Sequence, residues 1–327
     1  MYRKLIIAIL VCFLILLSYK YHVTEPMEVM SDYMKKNVYR KYGIHADEIK
    51  KTLMYKGKKV NSAHNFNLPS SIKKSSCKIT TSNILSQNGY PVCNYMSWNH
   101  KLNNEENIRL VNDKLEFPVV VKPSNGKKGK GVRTDIIDNK TLLEAINNLK
   151  KQNKNSIIIE EQASGKKYRI MILNDKFVYA SENVKPIIIG DGVSSISQLI
   201  KQFPEKNNTK PIFVINEDLI QQQGYKLNSV LENNKSLNVT NVVNISNGGK
   251  NKYIDEDEIH PTNSNLFRQI NNILGLNFSG IDYMSDDLSI PYFFGGKIIE
   301  VNGGPGLKHT LKKKPGTIDR WVNALFQ

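Results

Sequence analysis

Cysteine is scarce in this 327-residue chain, and the three present, Cys12, Cys77 and Cys93, form no C-x-x-C pair. That odd count excludes a disulfide-stapled scaffold, and reduced thiols in a reducing compartment are the expectation. Neither a zinc-finger spacing nor an aromatic-basic RNA-binding motif occurs. Arginine is nearly as rare, at only seven of the 46 basic residues. The net charge of +16 therefore comes from scattered lysines rather than a basic stripe, and no specific nucleic-acid partner is expected. The six histidines are dispersed, with no Ser-His-Asp or Cys-His arrangement in evidence. No internal repeat is visible.

Long apolar runs are confined to the N-terminus, where Leu5 to Ser18 follows Arg3 and Lys4 and is closed by Lys20. This run is short for a spanning helix and has the shape of a signal-peptide core, but no small-x-small cleavage site follows it. An uncleaved anchor over residues 1–22 is expected. Lys20, Lys35, Lys36, Arg40 and Lys41 beyond it favour a body held in the cytosol; without the anchor the chain would be cytoplasmic. Residues 23–75 read as one helix within PMEVMSDYMKKNVYRKYGI, with Gly43 after its end, and then a polar, turn-rich connection, KKVNSAHNFNLPSSIKKSS. From Lys78 onward helical and strand signals alternate. The length suffices for a full core in one large or two modest domains.

The segment FPVVVKPSNGKKGKGVRTDI, residues 117–136, has the composition of an anion cradle. A Walker A loop or a dinucleotide fingerprint opens a helix. Here Gly126, Gly129 and Gly131 are followed by Val132 to Ile137, which alternate like a second strand, so the glycines join two strands. Such a hairpin closes over phosphates, its backbone N–H groups approaching oxygen and its lysines neutralising charge. An ordinary flexible Lys/Gly hairpin accounts for the same stretch. Lys122 tells more, because a charge inside an apolar strand must be paired or must meet a ligand.

Downstream, Asp282 falls on one strand and Glu300 and Asn302 on another, at alternate positions facing the same way. A lone carboxylate at a strand end is usually salt-bridged. Three oxygen donors converging from neighbouring strands make a hard-cation site, suited to Mg2+ bridging phosphates.

Taken in order, PVVVKPSNGKKGKGV, GDGVSSISQLI, GYKLNSVL, NISNGG, GIDYMSDDLSIPY and IIEVNGGPGL resemble the ATP-grasp superfamily, in the branch of cyanophycin synthetase and the bifunctional glutathione synthetases. The resemblance covers about residues 76–312. It implies an α+β fold in which two α+β subdomains clasp ATP, with a ligase body over residues 76–327 and a small hairpin subdomain near 117–160. It further implies that Lys78 and Lys122 contact the nucleotide and that Gly126, Gly129 and Gly131 cover its phosphates. Glu160 would sit at the adenine hinge, with Ile159 in apolar contact with the base. Asp282, Glu300 and Asn302 would hold Mg2+, with Mn2+ as a substitute. Arg169 matches the arginine of a D-Y-R strand, and Arg169 or Lys308 would stabilise an oxyanion.

This chain departs from the family pattern at three places. Lys167 stands where relatives carry an acidic residue before Tyr-Arg, and Asn183 and Thr240 stand where they carry arginines. The activity implied is ATP-dependent joining of a carboxylate to an amine, on small-molecule or peptide substrates, through an acylphosphate. A phosphotransferase on the same fold and a weakened, membrane-tethered nucleotide-binding scaffold are the alternatives. Association into a homo-oligomer is left open.

Overall fold

The computed structural model describes residues 31–126, 130–203, 215–240, 250–307, 311 and 316–327. The expected anchor over residues 1–22, Gly129 of the hairpin and Lys308 lie outside the described residues. Among the described residues no helix is long and apolar enough to cross a membrane, and Cys77 and Cys93 are free thiols.

The chain divides into two compact units, one of residues 1–66 with 306–327 and the other of residues 67–305. In the first, Ser31 caps a helix (α1) that runs through Asp32–Met34, a π-helical Lys35–Tyr39 and Arg40–Tyr42. It ends on Gly43 at φ 68°, the left-handed stop the sequence expects there. An antiparallel meander follows: β1 (His45–Asp47), β2 (Thr52–Tyr55) and β3 (Lys58–Asn61). The sequence does not announce it, because strands of three or four residues are too short for alternation to register. The C-terminal helix Thr317–Leu325 belongs to this unit, its buried Trp321 ring packing against Tyr39 and Phe66. Sequence order alone assigns that helix to the ligase body.

The second unit opens with α2 (Pro69–Ser76), in a stretch that reads as a connection. Pro69 at the first turn supplies the helical φ and lacks only an N–H that would have no partner there. Next come α3 (Lys78–Gln87), β4 (Tyr95–Ser97), α4 (Asn104–Lys114), β5 (Val119–Pro123), β6 (Arg133–Ile136), α5 (Asn139–Lys151) and β7 (Ile157–Glu161). The strands form a sheet in the order β4-β7-β5-β6, in which β5 and β6 make the expected antiparallel hairpin. Asp138 caps α5 by accepting from Thr141 N, and Leu142, Ala145, Ile146 and Leu149 recur at helical spacing. Those side chains cover one face of the sheet, against Val119, Val121, Ile157 and Ile159.

The larger sheet has the order β12-β9-β8-β13-β14 and is antiparallel throughout, with β8 (Lys166–Leu173), β9 (Lys176–Val184), β12 (Lys250–Ile254), β13 (Phe278–Ser285) and β14 (Lys297–Asn302). Between β9 and β12 the chain makes an outlying body with β10 (Ile187–Ile189), α6 (Ile196–Gln202), α7 (Glu217–Gln222) and β11 (Ser236–Asn238) around its own small core. One face of the large sheet presents Tyr168, Ile170, Ile281, Tyr283 and Ile298 to Leu266, Phe267, Ile270 and Leu274 of α8 (Pro261–Leu274). Alternation therefore sends Lys167, Arg169 and Asp282 to the other face, and a bulge in β14 between Ile298 and Glu300, which lets both Ile298 and Val301 face the core, sends Glu300 there too.

Asn67 ties the base of that sheet together. Its Nδ2 donates to the carbonyls of Phe278 and Gly303, and its Oδ1 accepts from the N–H groups of Asn277 and Phe278. The residue is 4% exposed, so none of these partners would find water on its removal. Asn67→Ala is expected to lower the unfolding free energy by about 2–4 kcal/mol, read by urea denaturation.

Candidate active site

Three strands of the large sheet, β5, β7 and the glycine hairpin of the small one, and the start of α3 supply the polar residues singled out by sequence. Across β8, β13 and β14, Arg169 pairs in register with Asp282, and Asp282 with Glu300. The pair Gly280 and Asn302 follows at the next position on the same face. Asp282, Glu300 and Asn302 thus share one face of the β13–β14 pair. The set holds two carboxylates and one carboxamide, and among the described residues no cluster of three His, Cys, Asp or Glu side chains is placed to hold a metal.

Asp282 is 3% exposed and lies between two cations. Lys167 Nζ is 2.9 Å from Oδ2, and Arg169 Nε is 2.8 Å from Oδ1. The arginine contact lies off the N–H direction, so Oδ1 takes the charge without an aligned hydrogen bond. Burial pushes this carboxyl towards the neutral form, and Arg169 and Lys167 overcome it and hold the group below the usual carboxylate range. Arg169 is fixed a second time, Nη1 donating to the Gly280 carbonyl at 3.1 Å. A Cβ at position 280 would stand 2.8 Å from that Nη1 and 2.8 Å from Pro305 Cβ, so only glycine lets the guanidinium lie across β13.

Glu300 is the more accessible carboxylate, its side chain 27% exposed, and Lys78 Nζ reaches its Oε1 at 3.5 Å. Lys78, at the first turn of α3, also donates to the Gly126 carbonyl at 2.8 Å. One ammonium thus joins the glycine hairpin to the large sheet's carboxylates. Gly131 closes the hairpin at φ 75°, where a Cβ would meet Leu149 Cδ2 at 2.8 Å.

Lys122 does have the partner that its strand position demands. Its Nζ lies 2.5 Å from Glu160 Oε2, with the two side chains only 5% and 8% exposed. In the β5–β7 pairing Val120 stands opposite Glu160 and Lys122 opposite Ile158, which puts the ion pair on one face. Ile159 faces the other way. Its side chain is fully buried in the core beneath α5, turned by strand alternation away from the face that Lys122 and Glu160 share.

Sequence reasoning missed the place of Lys167 beside Asp282 and the seat that Gly280 gives Arg169. The signal was present in the alternation of positions 167 and 169, which sends both cations to one face, but the register with β13 was needed to read it. Asn183 stands in register between Lys167 and Asn251, its Oδ1 buried without a partner, and Thr240 is buried.

Two sheets, with a glycine hairpin on one and paired carboxylates among cations on the other, define the architecture as α+β. Comparisons agree with it. The family model of the D-Ala-D-Ala ligase C-terminus matches residues 84–229. Cyanophycin synthetase of Synechocystis sp. is 31% identical over 288 residues, 84% of this chain and 31% of that protein. The glutathione biosynthesis bifunctional protein GshAB of Streptococcus mutans is 26% identical over 244 residues, 70% of this chain and 32% of its own. The crystal structure of a bifunctional glutathione synthetase from Pasteurella multocida superposes with a TM-score of 0.54 at 20% identity, covering 86% of this chain and 42% of that one. The chain is a member of the ATP-grasp superfamily. It spans about a third of the length of these curated relatives.

The buried ion pair gives a direct test of the site's electrostatics. Lys122→Met alone leaves Glu160 charged in an apolar surround and is expected to cost about 3–5 kcal/mol of stability. Lys122→Met combined with Glu160→Gln should recover most of that loss, with chemical denaturation of both variants as the measurement.

Proposed function

We propose that the chain is an ATP-dependent carboxylate–amine ligase that works through an acylphosphate and releases ADP and phosphate. The observation that carries this reading is the bridge made by Lys78, which binds the glycine hairpin at Gly126 and a carboxylate of the β13–β14 pair at Glu300. Polyphosphate lying between hairpin and sheet would meet Lys78 and Lys122 from one side and the carboxylates from the other.

A carboxylate is inert to amines at neutral pH because oxide would have to leave. Transfer of the γ-phosphoryl group of ATP to the substrate carboxylate forms a new C–O–P linkage, breaks the bond to the β-phosphate and gives ADP. The amine then attacks the acyl carbon, the C–O bond to phosphate breaks, and a proton leaves the nitrogen. Neither step needs a covalent protein nucleophile. Lys78 and Lys122 would neutralise the phosphates, and Arg169, locked to Asp282 and the Gly280 carbonyl, offers a fixed fork for developing negative charge. Lys308 stays a second candidate for that charge. Glu160 would serve by orienting Lys122 rather than by touching the base.

Magnesium fits the donor chemistry of the site, with Glu300 and Asn302 on one face beside Asp282 and all offering oxygen. When bound it would supply charge neutralisation at the transferring phosphoryl group. Small-molecule or peptide acids and amines are the proposed substrates, and the apolar segment over residues 1–22 the proposed membrane anchor.

A pool of amino acids and short peptides, incubated with ATP, Mg2+ and hydroxylamine, should give ADP only where an acid is accepted, with the acyl group trapped as a hydroxamate. Acid-dependent ADP without hydroxamate would favour a phosphotransferase, and AMP with pyrophosphate would overturn the mechanism. Separately, deleting residues 1–22 should leave the affinity for a fluorescent ATP analogue unchanged and release the protein from the membrane pellet. Continued sedimentation would point to a second membrane contact.

A further inference from the structure

The two cations on Asp282 are held differently. Arg169 has the carboxylate, the Gly280 carbonyl and the space left by the missing Cβ, which together fix its plane. Lys167 enters from the second residue of β8, and among the described residues Asp282 is its one ion partner. Its side chain is 22% exposed where that of Asp282 is 5% exposed, and its charge sits on a flexible four-carbon stem. One cation is built in. The other is able to leave.

Asp282 faces Glu300 in register, and Glu300 is open enough to receive a cation from solvent. A divalent ion bound at Glu300 and Asn302 gains Asp282 as a ligand only by taking an oxygen that already carries a charge partner. Oδ1 belongs to the fixed guanidinium, so the exchangeable oxygen is Oδ2. We propose that Lys167 is a built-in competitor for the divalent cation at Asp282: the ammonium holds Oδ2 until a cation arriving with nucleotide phosphate displaces it, and then turns to that phosphate. This inference rests on the reading of the site as one for a metal–nucleotide complex.

It follows that divalent cations bind the protein weakly by themselves and more tightly with nucleotide, because phosphate compensates the displaced ammonium. A neutral side chain at 167 removes the competitor. Like-for-like loss of charge one residue away does not, since Lys166 is exposed and pairs with Asp287 at 3.6 Å.

The test is titration of the full chain with Mn2+, followed by the electron paramagnetic resonance of the free ion, with and without a non-hydrolysable ATP analogue. Without nucleotide, Lys167→Gln should bind Mn2+ about tenfold more tightly than the unaltered chain, while Lys166→Gln stays within about twofold of it. Lys167→Arg, which keeps the charge, should bind no more tightly than the unaltered chain, and it carries the test if the glutamine variant does not fold. Unchanged affinity in Lys167→Gln, equal tightening in Lys166→Gln, tighter binding by Lys167→Arg, or no Mn2+ binding with the analogue present would each overturn the proposal. Tightening without any hydroxamate would keep it and discard the ligase reading; hydroxamate without tightening would do the reverse.

Discussion

A carboxylate buried inside a β-sheet demands compensation, and Asp282 imposes that demand on its neighbours. An unpaired ion there would cost several kcal/mol, so β8 has to present cations at alternate positions and β13 has to leave room for one of them. Lys167, Arg169 and Gly280 meet both conditions. They do so only in one register. A slip of one residue between β8 and β13 would send Arg169 to the face of Tyr168 and Ile170, into the core beneath α8. The apolar face therefore fixes the register that neutralises the polar face, and neither face is independent of the other.

The same logic extends to the small sheet. Lys122 and Glu160 neutralise each other out of water, while Val121 and Ile159 on the reverse face bury against α5 and set the β5–β7 alignment. Lys78 then links the two bodies' polar faces through Gly126 and Glu300. Lys122, Glu160, Lys78 and Asp282 are already withdrawn from water and held by structure that folds for other reasons. On the function proposed above, a polyanion entering between them would exchange partners with groups the fold has already ordered, which is the condition under which such groups act strongly on a reacting phosphoryl.

What the sequence makes legible is what local pattern encodes. The glycine hairpin, the shared face of Glu300 and Asn302 and the stop of α1 at Gly43 follow from spacing within one or two elements. The pairing of Lys122 with Glu160 depends on β5 lying beside β7, and the pairing of Lys167 with Asp282 on β8 lying beside β13. Neither adjacency is written in either strand. The N-terminal meander escapes because its strands are too short to show a period, and the C-terminal helix because only the burial of Trp321 against Tyr39 and Phe66 reveals its place. Ile159 follows the simpler rule: alternation puts it on the face away from Glu160, in the core beneath α5.

Lysine at position 167 changes the balance of the whole site. Four cations, Lys78, Lys122, Lys167 and Arg169, are set among three carboxylates, Glu160, Asp282 and Glu300. An acid at 167 would reverse that excess and would confront Asp282 with a like charge that Arg169 alone would have to offset. With lysine there, Asp282 is neutralised by the chain itself, so the β8–β13 pairing does not wait for a metal to become favourable, unlike sites in which the ion supplies the folding energy. The remaining positive charge is the sign a nucleotide polyphosphate requires. On the function proposed above, charge that is surplus in the free protein is charge already placed for a polyanionic ligand, and a bound metal would not be needed to hold the sheet together.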